Sequence, residues 1–329
     1  MDLILPVSVV YLIDYTVLEH GSTDAPWGLR GKGPIFMSKR FGYATLMLAA
    51  GCNLFGQGAE SDDSSRGFTL YERFQGSVNT LGVVNDLDTS VGYKFNRYFG
   101  IDGGLPVYFV HASNSTTATT PVSSSNGIGN VYGQLRLTFA NPVLNFESTL
   151  TGTAPTGDKA TGFSTGHATV DWSNYFDHSF SRLTPFATVG LANSVSDTMF
   201  FIRPYTTYGL VTHVEGGARY RLARVLSVGG SLYEIAPSGQ QTVLSRIVKA
   251  NQASGSSNRQ NHGAFETAGS TTGSADIAKD HGFSGWVQVQ PVKTLGLYGG
   301  YSRSTQYSLN TVFFGVSLNL GSAVRSLGI

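Results

Sequence analysis

One cysteine, Cys52, in 329 residues leaves no partner for an internal disulfide and no set of thiolates for a metal cluster. Charge is also scarce: charged side chains make up 13% of the chain, about half the share usual in a soluble globular domain. The 22 basic and 21 acidic residues leave a formal net charge of +1, which gives a nucleic-acid backbone nothing to bind, so nucleic acid is excluded as a partner. No window supplies the ~18 or more consecutive apolar residues of a membrane-spanning helix. The histidines His111, His167, His178, His213, His262 and His281 are scattered without an HxxxH spacing, and no GxxxxGK[ST] loop occurs. No metal and no cofactor is therefore expected.

What is abundant is glycine (41), phenylalanine (20) and tyrosine (16), with 41% hydrophobic residues spread evenly. That is too much apolar content for global disorder, and it suits many strands joined by polar turns. Residues 37–58 read as a signal peptide. Met37 starts it, Lys39 and Arg40 form a basic n-region, Phe41 to Phe55 form the apolar h-region, and Gly56 and Gly58 stand at the cleavage positions. Residues 1–36 then read as a mis-assigned start or a disordered extension. Leu48-Ala49-Ala50-Gly51 before Cys52 is similar to the lipid-attachment signal of bacterial lipoproteins. The plainer reading is a small apolar residue inside a segment that is cut off.

From Phe68 onward the signal is alternation, which sends successive side chains to opposite faces of a strand. Tyr208, Leu210, Val214, Ala218, Tyr220 and Leu222 share one parity, while His213, Glu215, Arg219 and Arg221 share the other. Val312, Phe314, Val316, Leu318 and Leu320 repeat the pattern, with Phe313 the exception. Twelve such segments are predicted: 68–77, 83–95, 99–111, 129–139, 143–153, 167–176, 184–194, 206–221, 225–236, 282–292, 295–304 and 309–320. Most have roughly the 9 to 11 residues needed to cross a bilayer at a tilt. Short connections alternate with longer ones at 112–128, 154–166, 195–205 and 237–281, as in outer-membrane barrels.

The fold class predicted for 59–329 is thus all-β, a transmembrane antiparallel barrel of about twelve strands in the bacterial outer membrane. A periplasmic sandwich also alternates, but it would not place aromatics near strand ends. Here Tyr93, Phe95, Tyr98, Phe99, Phe109, Phe139, Phe176, Phe186, Tyr208, Tyr220, Tyr301 and Tyr307 do so.

The inward parity places Arg73, Asp88, Lys94, Asp102, Arg136, Glu147, Asp171, His213, Glu215, Arg219 and Arg221 on the lumen wall. Both signs occur, so these groups either neutralise one another and brace a filled barrel or line a selective polar path. Gly162-Phe163-Ser164-Thr165-Gly166, followed by His167, matches the G-x-S-x-G pattern of a serine nucleophile. It lacks the strand-to-helix turn that the chemistry needs, and it reads as a glycine-rich loop. Segment 237–281 is long and polar. Its portion from Thr242 to Ala250 is apolar enough to extend a hairpin or fold back as a plug, and the remainder is expected to be mobile.

Pro155-Thr156-Gly157-Asp158, then Gly162, Thr165 and Gly166, with Pro185-Phe186 and Val189-Gly190 in the next strand, resembles the signature of outer-membrane proteins of the phenol-degradation meta-pathway. The resemblance covers roughly 130–320 and implies an outer-membrane barrel passing hydrophobic or aromatic small molecules. Phe163-Ser164 departs from that family's usual Leu-Gly. Pro155 and Gly157 alone also predict a tight turn, whatever the function. The sequence therefore predicts a non-enzymatic channel or transporter with outer-membrane lipid and a small-molecule solute as partners. Its alternatives are an outer-membrane lipid hydrolase and a structural or adhesive barrel with a closed lumen.

Overall fold

The computed structural model describes residues 66–113, 124–195, 197–198, 201–248, 263–292 and 294–319. The extension 1–36, the signal segment 37–58, Cys52, His262, Ala250 and Leu320 lie outside the described residues.

Twelve antiparallel strands form a closed ring. In ring order they are β1 (Gly67–Asn79), β2 (Gly82–Lys94), β3 (Phe99–Ala112), β5 (Tyr132–Ala140), β6 (Asn145–Thr153), β7 (Thr169–Asp177), β8 (Leu183–Ala192), β10 (Val211–Arg221), β11 (Leu226–Pro237), β14 (Asp280–Val292), β15 (Leu295–Ser304) and β16 (Leu309–Asn319). The ring closes where β1 pairs with β16, from Tyr71 opposite Asn319 to Asn79 opposite Thr311. Closure leaves no barrel edge with unpaired peptide groups, the condition for strands to cross lipid. A short β4 (Ser125–Ile128) continues along the β3 edge beyond β5. The predicted strand 206–221 divides in two, because its first part, β9 (Tyr205–Tyr208), leaves the barrel. It joins β12 (Gln241–Ser245) and β13 (Ser270–Gly273) in a separate three-stranded sheet.

Alternation governs each wall. On β7, Val170 and Trp172 are half-exposed on the outer face, while Thr169, Asp171, Ser173 and Tyr175 face inward. On β16, Val312 is 57% exposed while its neighbour Phe313 is 1% exposed. A belt of large apolar side chains open to the surroundings would be a liability in water; here it is the surface that meets acyl chains. Even the indole N–H of Trp172 is satisfied on that face, donating to Ser148 Oγ at 3.0 Å.

The short-turn end repeats one device: Asn96 Oδ1 accepts from the backbone of Tyr98 and Phe99 (2.8 and 2.9 Å), and Asn141 Oδ1 accepts from Val143 and Leu144 (2.8 and 2.9 Å). Around the same end runs an aromatic chain. Phe68 contacts Tyr93, Tyr93 contacts Phe95, and Phe95 stacks on Phe99, while Tyr98 of the β2–β3 turn, Phe139, Phe146 and Phe176 carry the belt on across β5, β6 and β7. This is the girdle expected at a membrane interface.

Three residues predicted for the girdles lie elsewhere. Phe186 points inward against Trp286, Tyr208 stacks on His167 in the outer sheet, and Tyr307 is buried against Tyr205 and Phe265. Each sits near a strand end in sequence, but Phe186 takes the inward parity of β8, and Tyr208 and Tyr307 pack on residues outside the barrel strands, which alternation does not report. Segment 263–279, predicted to be mobile, instead carries β13 and two 3₁₀ turns whose Phe265 and Ala278 are buried with Val243 and Leu309.

Candidate functional site

Inside the ring the inward parity builds a polar wall. Arg73 of β1 stands opposite Asp88 of β2, with Nη2 3.3 Å from Oδ2, and the Tyr132 hydroxyl reaches both Asp88 oxygens at 3.1 Å. One strand pair further on, Arg136 lies between Asp102 (3.2 Å) and Glu147 (3.7 Å). Asp177 accepts from Asn145 at 2.6 Å and from the Tyr175 hydroxyl at 3.2 Å. Pairs of this kind add little net stability over apolar packing, but removing one partner is costly, so they fix the wall's geometry. The opposite wall is aromatic. Tyr233, Trp286, Tyr298 and Phe313 from β11, β14, β15 and β16 pack with Phe201 from a loop, and Phe186 of β8 joins them.

Between the walls lies a cavity of about 700 Å³. It is bordered by Arg73, Asp88, Lys94, Asp102 and Arg136 on one side, and by Glu147, Asp171, His213 and Glu215 on the next strands. Arg219 shares the inward parity and is half-buried, but it does not border the cavity. Arg221 is exposed at the short-turn rim, where Nη2 donates to Ser181 O at 3.1 Å.

The upper end of the cavity is formed by inserted loops. Between β8 and β9, Ile202 is fully buried and its N–H donates to Ser77 Oγ of β1 at 2.8 Å. Arg203 beside it lies over the rings of Phe201 and Tyr233 (5.1 and 5.5 Å) and 3.9 Å from Asp280. Just beyond β12, Arg246 donates from Nη1 to both oxygens of Asp197 at 2.8 Å and to Arg203 O at 2.9 Å, and its guanidinium lies 4.6 Å over the Tyr108 ring of β3. Burial works against the charge of Arg246, but Asp197 and Tyr108 outweigh it and hold the guanidinium above its ordinary pKa. The cation is therefore fixed, and it ties two loops to each other and to the wall.

The Pro-Thr-Gly-Asp loop is a third inserted piece. Thr156 Oγ1 donates to Gly129 O (3.1 Å) and accepts from Val131 N (2.8 Å), Gly157 N donates to Asn130 Oδ1 (3.2 Å), and Asp158 Oδ1 accepts from Ala160 N (2.8 Å). Pro155 leads into this turn, exposed. The turn delivers Phe163, 4% exposed, onto the Tyr108 ring at 5.2 Å, with Val84, Val110 and Ile202 around it. Gly162 has φ +73°, and a Cβ there would lie 2.2 Å from Ser245 O. Gly162→Ala is expected to cost the loop about 1–2 kcal/mol for the left-handed backbone alone. The expected readout is faster tryptic cleavage after exposed Lys159 in the folded barrel, and an unchanged rate would refute the docking.

Ser164 has no nucleophile geometry: it is buried, its Oγ accepts from Gly166 N at 3.0 Å, and Thr165 Oγ1 donates to His167 O at 2.9 Å. Gly166 ends that turn at φ +75°. On the wall, Ser173, His213 and Asp171 also gather, at 3.3, 3.1 and 2.8 Å, because the imidazole lies across the bare backbone of Gly190. Both contacts fall on the same nitrogen, Nε2, so the carboxylate does not orient the ring as a base toward the hydroxyl, as a catalytic triad requires.

Sequence reasoning missed Asp86, Tyr132, Asp197, Arg203 and Arg246. Asp86 was legible, since it shares its parity with Asp88. The others depend on loop insertion or on a tyrosine reaching across strands.

A closed antiparallel ring with an apolar outer face, an aromatic girdle and a polar interior defines an outer-membrane β-barrel. Among solved structures, the chain is similar to an outer membrane channel from Pseudomonas putida F1 (11% identity, 78% of this chain and 98% of that one, TM-score 0.47). It is also similar to the NanC porin (9%, 75% and 98%, TM-score 0.44) and to the KdgM porin in complex with disordered oligogalacturonate (11%, 74% and 96%, TM-score 0.39). No protein-family model and no curated protein sequence matches it. The class rests on the strand pairing and the two faces described above.

Proposed function

We propose that this barrel is a channel for small molecules, hydrophobic or aromatic ones among them, exported by the signal segment 37–58. The observation that carries the reading is the polar-and-aromatic cavity of about 700 Å³ within the ring, bounded above by loops rather than by wall strands. Phe186, Tyr233 and Tyr298 reach it from one side and the ion pairs from the other, so a solute with an apolar body and a polar group meets a matching surface on each wall. The inward charges Arg73, Asp88, Asp102, Arg136, Glu147 and Asp171 are in this reading the selectivity-tuning groups. The resemblance of the Pro155–Gly166 loop to the phenol meta-pathway proteins agrees with an aromatic solute, although its hydrogen bonds serve loop docking. Purified protein inserted into planar bilayers is expected to give discrete conductance steps. Inserted, heat-modifiable protein that leaves the membrane silent would instead support the closed structural barrel, a rival favoured by the depth to which Phe163 and Ile202 fill the upper lumen.

A further inference from the structure

Among the described residues, the charges of the upper lumen do not balance. Arg73 pairs with Asp88, Arg246 with Asp197 and Arg203 with Asp280, but Asp86 has no ion pair among the described residues. It borders the cavity on the same face of β2 as Asp88, is 3% exposed, and its Oδ1 accepts no hydrogen bond from the described residues. The residue opposite it on β1, Gln75, is neutral, and it accepts the Tyr298 hydroxyl at 3.1 Å. The charges that act on Asp86 are those of Arg73, Asp88, Asp197 and Arg246. With Asp86 included, three carboxylates face two guanidiniums, each already committed to another carboxylate. Burial penalises a lone carboxylate, so ionised Asp86 is stabilised by whatever cation can reach it, and low-dielectric walls strengthen the attraction.

We propose that Asp86 is a specificity-determining residue of the lumen, and that it takes the ammonium group of a protonated organic amine whose apolar or aromatic body lies toward the aromatic wall. A metal ion fits less well, since among the described residues no three His, Cys, Asp or Glu side chains are arranged to hold one. An ammonium group needs only one carboxylate acceptor, supplied by Oδ1 as a charge-assisted hydrogen bond. The Tyr298 hydroxyl, bonded to Gln75 directly opposite Asp86, brings the edge of the aromatic wall next to the carboxyl. The inference rests on the channel reading and names its solute class.

The test uses the full barrel, with benzylammonium as the probe and benzyl alcohol as its neutral counterpart. Under a KCl gradient the wild type is expected to favour potassium over chloride, and benzylammonium to block the current at lower concentration than benzyl alcohol. In Asp86→Asn the preference is expected to fall and the blocking concentration to rise about tenfold or more; Asp86→Glu retains both. An anion-preferring wild type, equal block by the two probes, or an unaltered Asp86→Asn barrel of normal heat-modifiable mobility would each overturn the assignment. A silent bilayer would count against the channel reading alone, because calorimetric binding of benzylammonium to detergent-solubilised wild type and Asp86→Asn still decides the role of Asp86.

Discussion

Replacing Arg246 with alanine is expected to raise the conductance of the barrel. The side chain is 6% exposed and holds both oxygens of Asp197, the carbonyl of Arg203 and the face of Tyr108. Its loss leaves Asp197 without its cation, a change that costs about 3–5 kcal/mol for a fully buried pair. Asp197 keeps some access to the cavity, so a fraction of that is expected, and even ~1.4 kcal/mol shifts the ratio of seated to released loops tenfold. Because the inserted loops and not the strands cap the cavity, the ring survives while its upper end loosens. Single-channel recording is expected to show longer or larger openings in Arg246→Ala. Asp197→Asn is expected to show a smaller effect, since its amide oxygen still accepts one bond from Nη1. Unchanged openings in a correctly folded Arg246→Ala barrel would mean that the loops are held elsewhere.

The second large effect concerns two neighbours on β6. Leu150 projects outward, 43% exposed, between Leu135 and Trp172, while Thr149 beside it borders the cavity. Leu150→Arg is expected to destabilise the inserted barrel by ~2–4 kcal/mol, the cost of a guanidinium near the bilayer midplane, and Thr149→Arg by much less, because its charge enters a polar lumen. Urea titration of vesicle-inserted protein, followed by the gel shift of the heat-modifiable form, measures both. Equal costs for the two variants would contradict the assignment of faces.

The ring was legible because lipid on one side and water on the other impose a period of two that no loop can imitate over 9 or more residues. The exceptions were themselves informative. Phe313, an apolar residue at an inward position, is part of the buried aromatic cluster with Trp286 and Tyr298. Phe186 belongs to the same wall, although its place near a strand end suggested a girdle. The upper lumen was not legible. Asp197, Arg203 and Arg246 lie in segments without periodicity, and the ion pairs that hold them join residues far apart in the chain, so no sequence pattern marks them. The G-x-S-x-G match misled for a related reason: glycine at 162 and 166 serves left-handed turns, a requirement of loop docking that produces the same letters as a nucleophile elbow.

The seam between β1 and β16 has a consequence for how the protein is made. Its ladder joins Tyr71–Asn79 to Thr311–Asn319, so the ring stays open until the later of these two distant stretches has left the ribosome. An unfinished arc would present bare amides to hydrocarbon, a state that lipid does not tolerate. Pairing between such distant stretches is also intrinsically slow. The strands therefore cannot be laid into lipid one by one, and the chain is expected to meet hydrocarbon as a barrel only once both sides of its seam are at hand.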